Sequence, residues 1–409
     1  PLYSSAASDV YKRQKLECKR LLVKSTLRWY VFDIAIIGRG LIGSAAARHM
    51  AESGQRVVVI GPDEPTDRRL SSGPFSSHPD EGRITRIAGR TAVWSHLAAR
   101  SIERYADIAS RSCIDFHASS GLVSCSPIAD EWVANGVEAG GVINRVSAEW
   151  VLEKTGIQIT NSHPIVYEGP PAGYINPRSL VRAQTKLVEQ TQSNVIKEAV
   201  TSLELKLGKY VIGGAWGSIS AARVLVATGA FGRELLETPL SLQRMCRTTV
   251  TAEVLPDPAL PSFIMVDPPD ARLEEIYWVP PILYPDGRVA LKIGGNLIES
   301  NPVEQDDLIE WFQGNGSATE ADSLKNCLQE LIPQKKVVSW KQKPCVVTNT
   351  LSGHPYIGWV DKGLAVAIGG CGAAAKSSDE IGRIAASLFS ESGWDSIISE
   401  KLFAPIFQN

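Results

Sequence analysis

The chain has 409 residues, 44% of them hydrophobic and 21% charged, with a formal net charge of −2. That length supports two units with substantial cores, and that composition describes an ordinary globular protein rather than a disordered or fibrous one. The near-neutral balance gives no basis for nucleic acid or an anionic membrane as partner, and no apolar run is long enough to span a bilayer. Seven cysteines without CxxC pairs or a Cys/His cluster indicate neither a disulfide framework nor a metal site. A reducing, cytoplasmic setting is the expectation.

Residues 1–14 read as translated sequencing-adapter sequence, and they lack the apolar core and cleavage site of a targeting peptide. Residues 1–31 are therefore expected to form a poorly ordered extension outside the fold. The most informative segment follows at residues 32–43, where a short apolar run leads into Gly38, Gly40 and Gly43 at GxGxxG spacing. In order, these glycines permit a tight turn, close approach of backbone to a pyrophosphate, and close packing of helix on strand. Leu41 and Ile42 stand between the glycines as further cofactor contacts, and the helix-like run from Ser44 to Met50 that follows has free N–H groups and a positive dipole end that suit phosphate. A second apolar run at 56–60 completes a βαβ start, but it ends on Gly61-Pro62 instead of the acid that usually binds the ribose. Asp63 comes two positions late. Either a bent loop brings it back or the contact is absent, and a displaced or missing contact is the preferred reading.

Helical periodicity resumes at 93–109, and strand-like pieces follow at 121–127 and 173–177. Residues 179–190 read as a helix, and 195–196, 202–205 and 210–212 as strands. Residues 223–230 form a buried strand ending in a small-residue turn at Thr228-Gly229, and its return to the first sheet makes the nucleotide unit discontinuous. Residues 248–296 are β-rich with many prolines and suggest a second sheet. A buried strand at 363–370 and a helix from 378 to about 389 close the chain. The expected fold is a mixed α/β one. A dinucleotide-binding domain with a central parallel sheet (32–115, 172–241, 338–409) is interleaved with a smaller antiparallel-sheet domain (116–171, 242–337).

Four segments in this order carry a family likeness: the glycine motif, Ala227-Thr228-Gly229, the run from Cys345 to Thr350, and Gly369-Gly370-Cys371-Gly372-Ala373-Ala374-Ala375-Lys376. Together they resemble the FAD-dependent amine and amino-acid oxidases of the D-amino-acid oxidase superfamily, in the branch of sarcosine oxidase and N-methyltryptophan oxidase. The resemblance implies FAD as cofactor, held in part by Gly38 to Gly43, Asp63, Gly229, Gly370, Gly372 and Ala373. It also implies that Ser77 and His78 lie beside the flavin and Arg83 against its ring system.

By the same resemblance Arg86 and Lys376 bind the substrate carboxylate, and a planar guanidinium does so bidentately where an ammonium acts as a point charge. Ser377 or Ser378 is expected to cap the last helix, with Asp379 and Glu380 in its first turn. Cys345 corresponds to the cysteine that forms an 8α-thioether to FAD, Lys292 to the lysine that faces the flavin and activates oxygen, and Tyr277 to a pocket tyrosine. Without the likeness, the arginines would read as surface residues one turn apart, Cys345 as an inert thiol and Lys292 as a lysine on a wet strand face. Asn296, Val347 and Ala373 stand where sarcosine oxidase carries pocket His, Tyr and His residues, which points away from sarcosine itself.

The expected activity is FAD-dependent oxidation of an amino-acid C–N bond, most simply of a secondary or N-substituted amino acid, with O₂ as acceptor and H₂O₂ as product. Two alternatives stay open: a dehydrogenase that passes electrons to a quinone or carrier, and a non-catalytic FAD-binding subunit of a larger complex. A monomer or small homo-oligomer is expected.

Overall fold

In the computed structural model the described residues are 31–232 and 235–408; the expectations for residues 1–30 lie outside them. Two sheets organise the chain. The first has five parallel strands in the order Leu364–Ile368, Gly217–Val226, Val31–Ile37, Val57–Ile60, Asn194–Ile196. Its antiparallel strands, Ser202–Lys206, Lys209–Gly214 and Tyr356–Asp361, attach at the Gly217–Val226 end. The run Val57-Val58-Val59-Ile60 is fully buried because it is covered on both faces, which is why its sequence is continuously apolar instead of alternating.

The helices Leu41–Glu52, Ala92–Ser112, Pro177–Glu189 and Ala374–Ser387 gather on one side of this sheet. The glycine motif sets how closely the first helix seats. Gly38 has φ +111°, and a Cβ on Gly43 would stand 1.8 Å from the Gly38 carbonyl oxygen. Only hydrogen fits there. Between the helices lies a buried ionic cluster centred on Asp379, which accepts from Arg48 Nη2 (2.8 Å), Gln184 Nε2 (2.8 Å) and Arg104 Nε (2.5 Å). Glu380 takes the other arm of Arg104. Four helices are thus joined by one carboxylate.

The second sheet is mostly antiparallel: Pro302–Val303, Leu242–Glu253, Val289–Leu297, Leu273–Leu283, Ser262–Val266, Leu122–Cys125, Ile165–Glu168, Ile143–Val146. One face packs on the helix Ala318–Leu331 through Val250, Ile276, Leu291, Ile293 and Trp278 against Leu324, Leu328 and Leu331. The other face is polar and turns toward the first unit, as period-two alternation requires.

Three expectations are corrected. The strand Ser339–Thr350 pairs with Leu242–Glu253 over its whole length, so it belongs to the second sheet although the boundary at 338 would assign it to the nucleotide unit. The last helix begins at Ala374, without a side-chain cap, so neither Ser377 nor Ser378 caps it and Asp379 and Glu380 fall past its first turn. Ala374 and Ala375 are strong helix formers and extend the helix back toward the glycines, which places Lys376 on the helix rather than in the preceding loop. Finally, the helices Ala129–Glu138, Ala148–Thr155, Asp307–Gln313 and Ala318–Leu331 were not anticipated.

Candidate active site

Between the two units runs a cavity of about 1120 Å³, larger than the roughly 300–1000 Å³ usual for a drug-sized ligand and suited to a dinucleotide plus a small molecule. One end lies at Gly38, Arg39, Gly40, Leu41 and Ile42, with Gly61 and Pro62 beside them. Here the helix Leu41–Glu52 presents its N-terminus with no side-chain cap and no acid in its first turn, and no atom stands within 4 Å of where a Cβ on Gly40 would be. Uncapped N–H groups facing open space form an anion cradle. The middle of the wall comes from Ala227 to Gly232 and Val346 to Asn349, and the far end from Gly369 to Lys376, Arg86, Trp94 and the polar face of the second sheet. Thr228 Oγ1 and His78 Nδ1 are buried without hydrogen-bond partners, as groups awaiting a polar ligand would be. The residues present therefore fit a bound dinucleotide.

Strand register explains the far wall. Cys345 stands opposite Arg247, Arg247 Nε donates to Asn296 Oδ1 at 3.0 Å, and Asn296 stands opposite Glu275, so four strands place one polar row on the cavity. The next row is Lys343, Thr249, Gly294 and Tyr277, where the missing side chain of Gly294 leaves the room that the Tyr277 ring fills. Burial pushes the Tyr277 phenol up to about 12. The row after that carries Lys292.

Arg86 is buried with its guanidinium 4.4 Å from the Trp132 ring centroid, and its Nη1 has no partner. Burial brings its pKa down to about 10 despite Glu275 and Glu168 nearby. Lys376 is also buried, with Nζ donating to Ala373 O at 3.2 Å and lying 5.8 Å from the Trp94 ring centroid. Burial and then the charge of Arg86 bring it down to about 7. The two cations feel each other, and among the described residues neither forms an ion pair. Glu168, the nearby acid, is occupied by the backbone N–H groups of Ile87 (2.6 Å) and Ala88 (3.1 Å). Two desolvated, uncompensated cations in a dry recess are costly without an anion. Such a pair favours an anion at this end of the cavity.

Arg83 lies on the wall, hydrogen-bonded to Asp80 and, through Nη2, to Ser77 O at 3.1 Å, with Cys345 Sγ 4.0 Å away. His78 is on the wall too, and burial holds it down at about 4, so its ring is neutral at ordinary pH.

The cavity wall includes every residue expected at the site except Gly43, Asp63 and Lys292. Gly43 does its work in packing. Asp63 is exposed, its carboxylate taken by Arg39, whose Nε also donates to Gly61 O at 3.1 Å. Asp63 is thus turned to Arg39, and it is the arginine that lies on the wall there. Lys292 is buried behind the wall, with Nζ donating to Asp80 Oδ2 at 2.9 Å and to Gly82 O, and with the Tyr277 ring centroid 5.8 Å away. Burial, then Arg83, holds its pKa well below the usual lysine value. Alternation put it on the correct face of the strand but could not reveal that the segment from Asp80 to Arg83 covers it.

Trp94, Arg90, Arg247 and Glu275 also line the wall and were not singled out by the sequence. For Arg247 a signal existed: it alternates with Val250 and Ala252 on a half-buried strand and so shares the polar face with Thr249. Trp94 sits in an amphipathic helix, where nothing separates a pocket aromatic from a core one. Among the described residues no helix is long and apolar enough to cross a membrane, and no group of His, Cys, Asp and Glu is placed to hold a metal ion.

Comparison with known proteins bears on this geometry. The family model described as FAD dependent oxidoreductase (DAO) matches residues 33–388. N-methyl-L-tryptophan oxidase of Yersinia pestis (strain Pestoides F) is 24% identical over 213 residues, 51% of this chain and 56% of that protein. The match therefore spans about half the length of such curated relatives. Among solved structures, NikD, described as an unusual amino acid oxidase essential for nikkomycin biosynthesis, superposes with a TM-score of 0.73 at 18% identity over 92% of this chain and 98% of that one. Glycine oxidase from Geobacillus kaustophilus gives 0.71 at 19% over 92% and 98%. L-proline dehydrogenase from P. horikoshii gives 0.72 at 14% over 91% and 96%. At these identities the likeness establishes the fold.

Proposed function

Because the chain belongs to the FAD dependent oxidoreductase (DAO) family, we propose that it oxidises the C–N bond of an amino acid, a secondary or N-substituted one, with O₂ as electron acceptor. The observation that carries this reading is the pair of buried, unpaired cations, Arg86 and Lys376, at one end of a dinucleotide-sized cavity. FAD would be held by the glycine turn, the N-terminus of Leu41–Glu52, His78, Gly229 and the turn from Gly370 to Ala373. When bound it supplies a two-electron acceptor. Arg86 and Lys376 fix the carboxylate and with it the orientation of the amine, which is the larger part of what the protein contributes. Trp94 and Trp132 keep the recess dry and strengthen both charges. The amino acid gives up two electrons and two protons and becomes an imine, which water hydrolyses. O₂ takes up the same electrons and protons and leaves as H₂O₂. Anaerobic addition of N-methyl amino acids to the FAD-loaded protein tests the reading: the visible flavin absorbance is lost if it holds and persists if it does not.

Lys376 makes the reaction pH-dependent in a defined direction. In the empty site it titrates at about 7, and only its charged form attracts a carboxylate. kcat/KM therefore falls as pH rises through about 7, and the loss enters through KM. Since a bound carboxylate raises the lysine's pKa, kcat is flatter over the same range. A Lys376→Met variant loses this inflection, which a pH profile of both parameters would reveal.

We also propose the thioether at Cys345. The bond replaces the thiol proton and one hydrogen of the flavin 8α-methyl, and O₂ takes up the two hydrogens removed. Its support is the place of Cys345 on the wall, beside Arg83. After acid denaturation the yellow colour stays with the wild-type chain and is released from Cys345→Ser; colour released from both would remove the linkage and leave the oxidase reading intact.

The lysine assigned to oxygen chemistry is the point at which a second reading enters. Lys292 is engaged by Asp80 and Gly82 and does not line the cavity, which favours a dehydrogenase passing electrons to another carrier. On the oxidase reading its charge still acts on O₂ from behind Tyr277, so Lys292→Met slows reoxidation of the reduced enzyme by about 100-fold or more, the usual cost of removing one preorganised charge. Stopped-flow reoxidation decides it, and unchanged reoxidation in the variant would favour the dehydrogenase.

A further inference from the structure

The glycine turn that opens the first unit puts a cation where such units usually carry an acid. The strand Val57–Ile60 runs into Gly61, the place of the carboxylate that accepts from the ribose hydroxyls. Sterics exclude a side chain there: a Cβ on Gly61 would stand 2.6 Å from Arg39 N and 2.9 Å from Arg39 Cβ. Arg39 takes that room itself, and its Nε donates to Gly61 O at 3.1 Å. Its side chain is 9% exposed and lines the cavity, whereas the Asp63 side chain is 59% exposed and does not. Lys197 Nζ lies 3.7 Å from the same carboxylate, so two cations share one acid that stands in water. The other acid of this loop, Glu64, is held by Nε and Nη2 of Arg178 at 2.7 Å each. Among the described residues Arg39 Nη1 has no hydrogen-bond partner. An ion pair with one partner in solvent is weak and does not hold the guanidinium against a better acceptor. Arg39 also immediately precedes Gly40, the N-cap of the uncapped helix Leu41–Glu52, so its charge and the dipole end act on the same stretch of wall.

We propose that Arg39 takes over the work of the missing acid and binds the adenosine half of FAD, with Asp63 serving only as its counterion. The proposal rests on the FAD reading above and deepens it. A carboxylate at this place accepts from the ribose hydroxyls and repels the pyrophosphate. A guanidinium does the reverse, donating to ribose oxygens and attracting the pyrophosphate charge. The two members of the ion pair therefore have opposite effects on the cofactor. Loss of Arg39 removes the contact, while loss of the Asp63 charge releases the guanidinium from its counterion. Were the pair only a clip for the loop after Gly61, either loss would loosen FAD alike. Were Asp63 the ligand, its loss would be the more damaging of the two.

The test uses the full, FAD-loaded chain in a Cys345→Ser parent, so that FAD can leave whether or not the thioether forms in the wild type. Each protein is diluted, the released FAD is separated by ultrafiltration and measured by its fluorescence, and the Kd follows without any turnover. Arg39→Met should raise the Kd at least about 10-fold, as expected for the loss of a charge-assisted contact. Arg39→Lys should lie between, since a point charge replaces the fork. Asp63→Asn should hold FAD as tightly as the parent or more tightly. Added salt should weaken FAD binding more in the parent than in Arg39→Met, because the variant has lost the charge that salt screens. An unchanged Kd in Arg39→Met would overturn the proposal and leave the FAD reading intact. So would an Asp63→Asn chain that loses FAD as readily as Arg39→Met, because the pair would then be a clip or Asp63 the ligand. A parent chain that takes up no FAD would contradict the cofactor reading as well.

Discussion

Arg86→Met should lower kcat/KM for the amino-acid substrate by about 10² to 10⁴, because two charge-assisted hydrogen bonds at about 1.5–3 kcal/mol each are lost together. Most of the loss should enter through KM, since the carboxylate is held alike before and during the reaction, and a smaller part through kcat as the amine loses its alignment. Arg86→Lys should recover only part of it. The same variant should be no less stable than the wild type. Arg86 is desolvated, its Nη1 lacks a partner, and burial has brought its pKa down to about 10, so the folded state bears a cost that a methionine stacked on Trp132 removes. Steady-state kinetics and thermal unfolding on one preparation check both halves. A drop in activity matched by a drop in stability would make Arg86 a structural residue.

The opposite pattern is expected at Asp379→Ala. Arg48, Arg104 and Gln184 all converge on this fully buried carboxylate, and removing it takes from the buried Arg48 and the half-buried Arg104 the carboxylate they share, leaving them only Glu52 and Glu380. Breaking a buried pair by deleting one partner costs about 3–5 kcal/mol, measurable by denaturant unfolding. Burial alone would raise the Asp379 pKa, but the hydrogen bond and charge of His49 and the charges of Arg48 and Arg104 outweigh it and hold the carboxyl well below its ordinary value. With the folded-state value depressed, its contribution is complete above the unfolded-state pKa of about 3.9 and is lost as the pH falls below that. The difference between variant and wild type should therefore shrink in acid. Because Asp379 follows Lys376 on the same helix, and Tyr105 Oη donates to Lys376 O at 2.6 Å, substrate affinity should fall as well.

These two residues show how legible the chain was. The glycine motif announced itself through its spacing, in which Gly43 leaves room for the Gly38 carbonyl five residues earlier while Gly40 faces open space. The buried strands at 57–60 and 364–368 were legible as well, since a strand covered on both faces has no polar residue to mislead. Arg86, Lys376 and Cys345 were picked out by likeness to a family, and the fold then brought them to one cavity. What escaped depended on contacts distant in sequence. Asp379 looked like a helix-start acid until three helices brought Arg48, Arg104 and Gln184 to it. Lys292 lay on the expected face of its strand, but Asp80, more than two hundred residues earlier, turned its ammonium away from the wall. The segment 339–350 fell on the wrong side of the boundary at 338 because nothing in its own sequence names the strand Leu242–Glu253 as its partner. Asp63 was weighed as a ribose ligand, and the neighbour that claims it, Arg39, sits inside the glycine motif itself.

The central claim is that an amino acid, held by its carboxylate, passes two electrons to FAD bound between the two units. Its most direct test is anaerobic mixing of the FAD-loaded chain with a panel of N-substituted amino acids, followed by readmission of air. The account predicts that at least one of them removes the visible flavin absorbance within the mixing experiment, that Arg86→Met requires far more of it, and that air restores the spectrum with one H₂O₂ per flavin. A chain that binds FAD and keeps its absorbance with every amino acid offered would contradict the account.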